Sequence, residues 1–258
     1  MKTKKYFIAL VSIVAFSSIA LVASATHSWG GYHWARTTSS FTLQLGDNVS
    51  SVWKPYLATT SSDWSASTVL DTTVVQGSAR RNCQPTAGRV EVCNKAYGNN
   101  GWLGLAQIWI SGSHITQGTV KVNDTYFNTS AYNNPNEKLH VVCQEVGHTF
   151  GLDHQSTDGT SLDTCMDYFS NTGVNAGSTL SIHPNQHDYD ELGIIYSHLD
   201  TFTTIKTSTT SKNASEINTD DKSEWGREVK KDANGHHSVF EKDLGNGNKI
   251  VTDVIWAQ

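Results

Sequence analysis

Apolar and polar positions alternate along several short stretches of the chain and recur at helical spacing along others. Phe41, Leu43 and Leu45 alternate with polar residues and predict a strand, closed by Gly46-Asp47. Val69–Val75 and Arg89–Cys93 read as two more. Leu105 to Ile110 is an almost unbroken apolar run, as expected of a central strand. In Thr119–Asn123, Val120 and Val122 fall on one face and Lys121 on the other, the pattern of an edge strand. Ser50 to Ala66 carries Val52, Trp53, Tyr56, Leu57 and Trp64 and predicts a helix interrupted or delayed by Pro55. A second helix starts at Asn134, a capping residue followed by Pro135 at the first helical position and by Glu137 at capping-box spacing. Leu139, Val142, Cys143 and Val146 mark its buried face. Leu192, Ile195, Tyr196 and Leu199 do the same for a last helix over 185–199. Ser238–Leu244 and Lys249–Trp256 alternate around Gly245-Asn246-Gly247 and predict a β-hairpin. A lone hairpin is marginal in water, so it must dock on the main domain or a partner.

The two ends divide the chain. Residues 1–25 have the form of a secretory signal peptide: Lys2, Lys4 and Lys5, an apolar run, then Ala23-Ser24-Ala25. Cleavage would leave no stretch able to span a bilayer and place the protein outside the cell or in the periplasm. Residues 26–200 form the expected main domain. Residues 201–235, rich in Ser, Thr and Asn, read as a linker, and 236–258 as the hairpin. Without the signal, 16 basic residues face 24 acidic ones, a net charge of −8. That argues against nucleic acid or an anionic membrane as the main partner. Four cysteines in an exported chain suggest two disulfides. Three pairings are open, and the favoured one joins Cys83 to Cys93 across a short loop and Cys143 to Cys165.

The chemistry concentrates in Gln144-Glu145-x-x-His148-x-x-Gly151-x-x-His154. Gln144 and His148 are one helical turn apart, with Glu145 beside them. Gly151 lets the chain leave the helix in a left-handed turn that brings His154 back toward His148. Two ligands at i and i+4, an adjacent carboxylate and a third ligand after a glycine turn point to a zinc hydrolase site. His140 lies two helical turns from His148, about 12 Å at the rise of an α-helix, too far to share one ion. His183 and His187 read as solvated loop or helix-cap residues, and Asp153, Asp158 and Asp163 fit no calcium-loop spacing.

These residues resemble the signature of the metzincin metallopeptidases, His-Glu-x-x-His-x-x-Gly-x-x-His, with Gln144 in place of the first histidine. Downstream, Asp163-Thr164-Cys165-Met166-Asp167-Tyr168 resembles the methionine turn of that family, with a tyrosine two residues after the methionine. The resemblance covers roughly residues 40–200. It implies an α+β, zincin-like fold: a twisted mixed sheet with an antiparallel edge strand, an active-site helix, and a C-terminal helix after the Met-turn. It implies Zn2+ held by Gln144, His148 and His154 above Met166, with Glu145 as general base and Tyr168 stabilising the oxyanion. By the same resemblance, Thr119, Val120, Lys121 and Val122 would form the edge that pairs with bound peptide. The expected function is a secreted, monomeric zinc endopeptidase acting on peptide or protein substrates. The alternative, suggested by Gln144, is a weak or inactive relative that binds peptides or proteins along that edge.

Overall fold

The computed structural model describes residues 27–78, 81–206, 217–232 and 234–257. The expected signal peptide and the middle of the expected linker, residues 207–216, lie outside them. Among the described residues the strands are β1 (His33–Trp34), β2 (Phe41–Asn48), β3 (Leu70–Gln76), β4 (Val90–Lys95), β5 (Trp102–Ser111), β6 (His114–Asn123), β7 (Arg227–Lys231), β8 (His237–Gly245) and β9 (Asn248–Trp256). The α-helices are α1 (Lys54–Trp64), α2 (Asp124–Phe127), α3 (Pro135–His148) and α4 (Gln186–Ile195).

All nine strands belong to one sheet, giving a mixed α+β architecture. Its order is β3-β2-β4-β6-β5-β9-β8-β7, with β1 pairing beside β6. The half from β3 to β6 is parallel; from β6 onward every pairing is antiparallel. Helices α1 and α3 lie on one face, where Trp34, Leu45, Trp64, Val120, Val142, Phe150 and Met166 share the main core. The opposite face is closed by the segment around Trp225, which packs with Trp102, Leu105, Phe240 and Val254.

That second covering layer corrects one expectation. Strand β6 is not an edge: it lies between β4 and β5, and Thr119, Val120, Lys121 and Val122 are all buried. Val120 and Val122 do face the helices. The polar face, which suggested water, meets protein instead. Lys121 Nζ donates to Thr219 Oγ1 at 2.7 Å and to Asp220 Oδ1 at 2.5 Å. Polar alternation signals a hydrogen-bonded face, and only tertiary structure says whether solvent or protein supplies the partners.

Helix α3 begins as its sequence dictates. Asn134 Oδ1 accepts the Glu137 amide at 2.8 Å, and Pro135 fills the first turn. The Glu137 carboxylate, however, turns away from the cap. It accepts the Asn171 amide at 2.6 Å and the Ser170 hydroxyl at 3.1 Å, tying the helix start to the loop after Tyr168. The Cys83–Cys93 and Cys143–Cys165 pairs are both joined, the second fixing α3 to the segment that carries Met166. Helix α4 stops at Ile195, so Leu199 lies beyond it and is exposed.

Candidate metal and catalytic site

Two histidines converge where α3 ends. Gly151, at φ +97°, turns the chain, and a side chain there would strike the Tyr32 carbonyl. The turn returns His154 to within 4.7 Å of His148, centroid to centroid. The Leu152 carbonyl accepts from His148 Nδ1 at 2.8 Å. That bond fixes the tautomer and leaves the Nε2 lone pair facing the site. Trp29 stacks flat on the same ring at 5.0 Å. Nε2 of His148 and of His154 are both buried without a hydrogen-bond partner among the described residues. Burial lowers both pKa values, His148 to about 4 and His154 well below its usual range, so both rings are neutral near pH 7.

Of the other expected residues, Tyr168 meets this pair directly. Glu145 is fully buried and packs on Gly104 of β5, where an added Cβ would sit 2.5 Å from Oε1. Burial, and then the Asp253 carboxylate, push its pKa well up. Met166 lies beneath α3, its sulfur 2.5 Å from where a Cβ on Gly147 would stand. Tyr168 packs edge-on against His154 at 5.2 Å. Its hydroxyl accepts the Trp256 amide at 3.2 Å. The Gln144 amide nitrogen donates to the carbonyls of Cys165 at 2.7 Å and Asp167 at 2.6 Å, while its oxygen has no partner. The Gln144 side chain is thus clamped to the segment around Met166, and among the described residues no side-chain hydrogen bond joins it to His148 or His154. Helix α3 places His140 Nδ1 against the Ser181 carbonyl, and His183 Nδ1 meets Asp63 at 2.7 Å.

One site residue escaped the sequence reading. Asp253, in β9, brings Oδ1 to 3.6 Å from His148 Nε2 and 3.9 Å from His154 Nε2. Donor atoms of the three residues lie within 4.8 Å of one another, the grouping a metal ion needs. The signal was present: Val251, Asp253 and Ile255 share one face of an apolar strand, and a carboxylate there is costly unless compensated. Two bare imidazole nitrogens and a buried carboxylate suit zinc.

No known protein family matches the sequence, and no curated protein matches it either. Among solved structures, the chain is similar to high choriolytic enzyme 1, a hatching enzyme zinc-protease from Oryzias latipes (medaka). The TM-score is 0.37 and the identity 10%, over 65% of this chain and 95% of that one.

Proposed function

We propose that the protein is a zinc-dependent endopeptidase acting outside the cytoplasm. The observation that carries this reading is the pair of buried, bare Nε2 atoms on His148 and His154 with Glu145 on the adjoining turn of α3. His148 and His154 would hold the ion. Bound zinc supplies Lewis acidity to the scissile carbonyl and to the attacking water. Glu145 acts as general base: its raised pKa brings the carboxylate nearer the range where it accepts a proton and returns it to the leaving amine. Tyr168, packed against His154, donates its O–H to the developing oxyanion. With β9 displaced from β5, the peptide would pair with β5, the strand on which Glu145 rests. The two disulfides suit an oxidising compartment.

A non-hydrolytic peptide-binding module is the second reading, favoured by Gln144, which faces the Met-turn carbonyls. The discriminating experiment compares zinc-loaded wild type with Glu145→Gln on fluorescein-labelled casein. The enzyme reading expects the variant to keep its zinc and to lose a factor on the order of 10²–10⁴ in rate. Equal rates would sink it.

A further inference from the structure

The C-terminal strand occupies the place that the proposed reaction needs empty. Without β9, strand β5 would be the sheet's edge beside α3. Instead β9 runs antiparallel to β5 from Trp102↔Trp256 to Ser111↔Asn248. An extended peptide adding to β5 would form this same ladder. Asp253, opposite Ala106 in that ladder, projects to the helix side and meets His148 and His154. Neither of its oxygens has a hydrogen-bond donor among the described residues, although the residue is fully buried. A buried carboxylate with no donor needs a cation, and the two bare imidazole nitrogens mark where that cation would sit.

Other contacts bind the same segment to the catalytic parts. The Trp256 amide donates to the Tyr168 hydroxyl, engaging the group assigned to the oxyanion. Lys230 of β7 forms an ion pair with Asp153, beside His154. On the far face, Gln107 of β5 donates to Thr252 Oγ1 at 3.2 Å and to the Thr219 carbonyl at 3.1 Å.

We propose that β9 is an internal inhibitor: its backbone fills the substrate's place on β5, and the Asp253 carboxylate is the third protein ligand of the metal. This rests on the peptidase reading above. Gln144 is then spared ligand duty in the closed form, consistent with its clamp to Cys165 and Asp167. Separating β9 from β5 opens the cleft, releases Tyr168 from the Trp256 amide and vacates one ligand position together.

The test uses the full chain: wild type, Asp253→Asn and His148→Asn. Zn(II) affinity is measured by competition with a chromophoric chelator, and the ligand field from the Co(II) visible spectrum. Because His33, His198 and Asp200 form a second group of metal-ligating spacing, differences between variants are read rather than stoichiometry. Asp253→Asn is expected to bind Zn(II) at least ten-fold more weakly, to change the Co(II) spectrum, and at saturating zinc to cleave labelled casein at least ten-fold faster than wild type. X-ray absorption on zinc-loaded wild type, expected to show imidazole and carboxylate ligation, serves if the variant does not fold. Unchanged affinity and spectrum in Asp253→Asn, or no carboxylate in the wild-type ligation, would overturn the ligand assignment. Weaker binding without faster cleavage would overturn the inhibitor. If His148→Asn binds zinc as wild type does, or if zinc-loaded wild type and Asp253→Asn are both inert on casein, the peptidase reading itself fails. Casein cleavage by wild type beside an inert substitution at Asp253 would fail the inhibitor alone.

Discussion

Two histidine–carboxylate groups in this protein are built from the same side chains and end in opposite states. At the first, Asp200 accepts the Arg36 amide at 2.9 Å and His114 Nε2 at 3.0 Å, with His33 and His198 at 3.7 and 3.8 Å. His198 is half exposed. Burial works to raise the Asp200 pKa, but the Arg36 amide, His114 and His33 outweigh it and hold the carboxyl below its usual value. At the second, Asp253 has no hydrogen-bond donor on either oxygen among the described residues, both histidines are buried, and burial followed by Asp153 pushes the carboxyl well up. The first group is satisfied by the protein, with the Arg36 amide and His114 bonded to its carboxylate near the end of the main domain. Among the described residues, no donor reaches the carboxylate of the second within hydrogen-bonding distance. Similar chemistry therefore reads as structural in one place and as a metal site in the other because of the donors around the carboxylate.

The sharpest way to break that contrast is to remove one imidazole from each group. His154→Ala should weaken zinc binding on the order of a hundred-fold or more, since ligand loss costs at least as much as the outer-shell losses that already reach that size. His198→Ala should leave the tightest zinc unchanged. Chelator competition on both variants reads the difference, and equal losses would erase the distinction between the groups.

The carboxylates offer a second, smaller test on metal-free protein. Asp253→Asn replaces a buried carboxyl whose ionised form no donor compensates, and should raise the melting midpoint, by roughly 2–4 °C for each kcal/mol relieved in a chain of this size. Asp200→Asn should lower it near pH 7. Because the folded Asp200 pKa is depressed, its contribution is present above the unfolded value of 3.8 and is lost as pH falls through the folded value. The cost of Asp200→Asn should therefore shrink toward pH 3. Calorimetry at pH 7 and pH 3 measures both variants, and a lower midpoint for metal-free Asp253→Asn would contradict the orphaned carboxylate.

The contrast also marks the limit of reading the chain without coordinates. The Asn134 cap, the Gly151 turn and the β8–β9 hairpin are local, and each was legible from neighbours in sequence; the buried face of α3 was legible at Val142, Cys143 and Val146, whereas Leu139, expected with them, is only half-buried. What was not legible is pairing between distant strands. Nothing near Thr119–Val122 says that Thr219 and Asp220 will cover Lys121, and nothing near Asn248–Trp256 says that β5 is its partner. Asp253 was visible as a charge on the inward face of an apolar strand, yet its meaning waits on the register that sets it opposite Ala106 and beneath α3. The site is divided in the same way: His148, His154 and Glu145 come from one continuous segment, while Asp253 arrives from about a hundred residues away.

The smallest effect compares the helices leading to the two groups. Gly147 in α3 has no room for a methyl: its Cβ would stand 2.5 Å from Met166 Sδ and 2.6 Å from Trp64 Cζ2. Gly193 in α4 meets nothing within 4 Å. Gly147→Ala should therefore cost about 1–3 kcal/mol, because packed cores yield only through displaced side chains. It should also loosen zinc, since Met166 supports α3 below the histidines. Gly193→Ala should gain up to about 1 kcal/mol from helix propensity and leave zinc affinity unchanged. Urea midpoints give the stabilities and chelator competition the affinities. If Gly147→Ala destabilised the protein without affecting zinc, the Met166 floor would be packing alone, and the geometry that readies the second group for metal would reside in the Gly151 turn and β9.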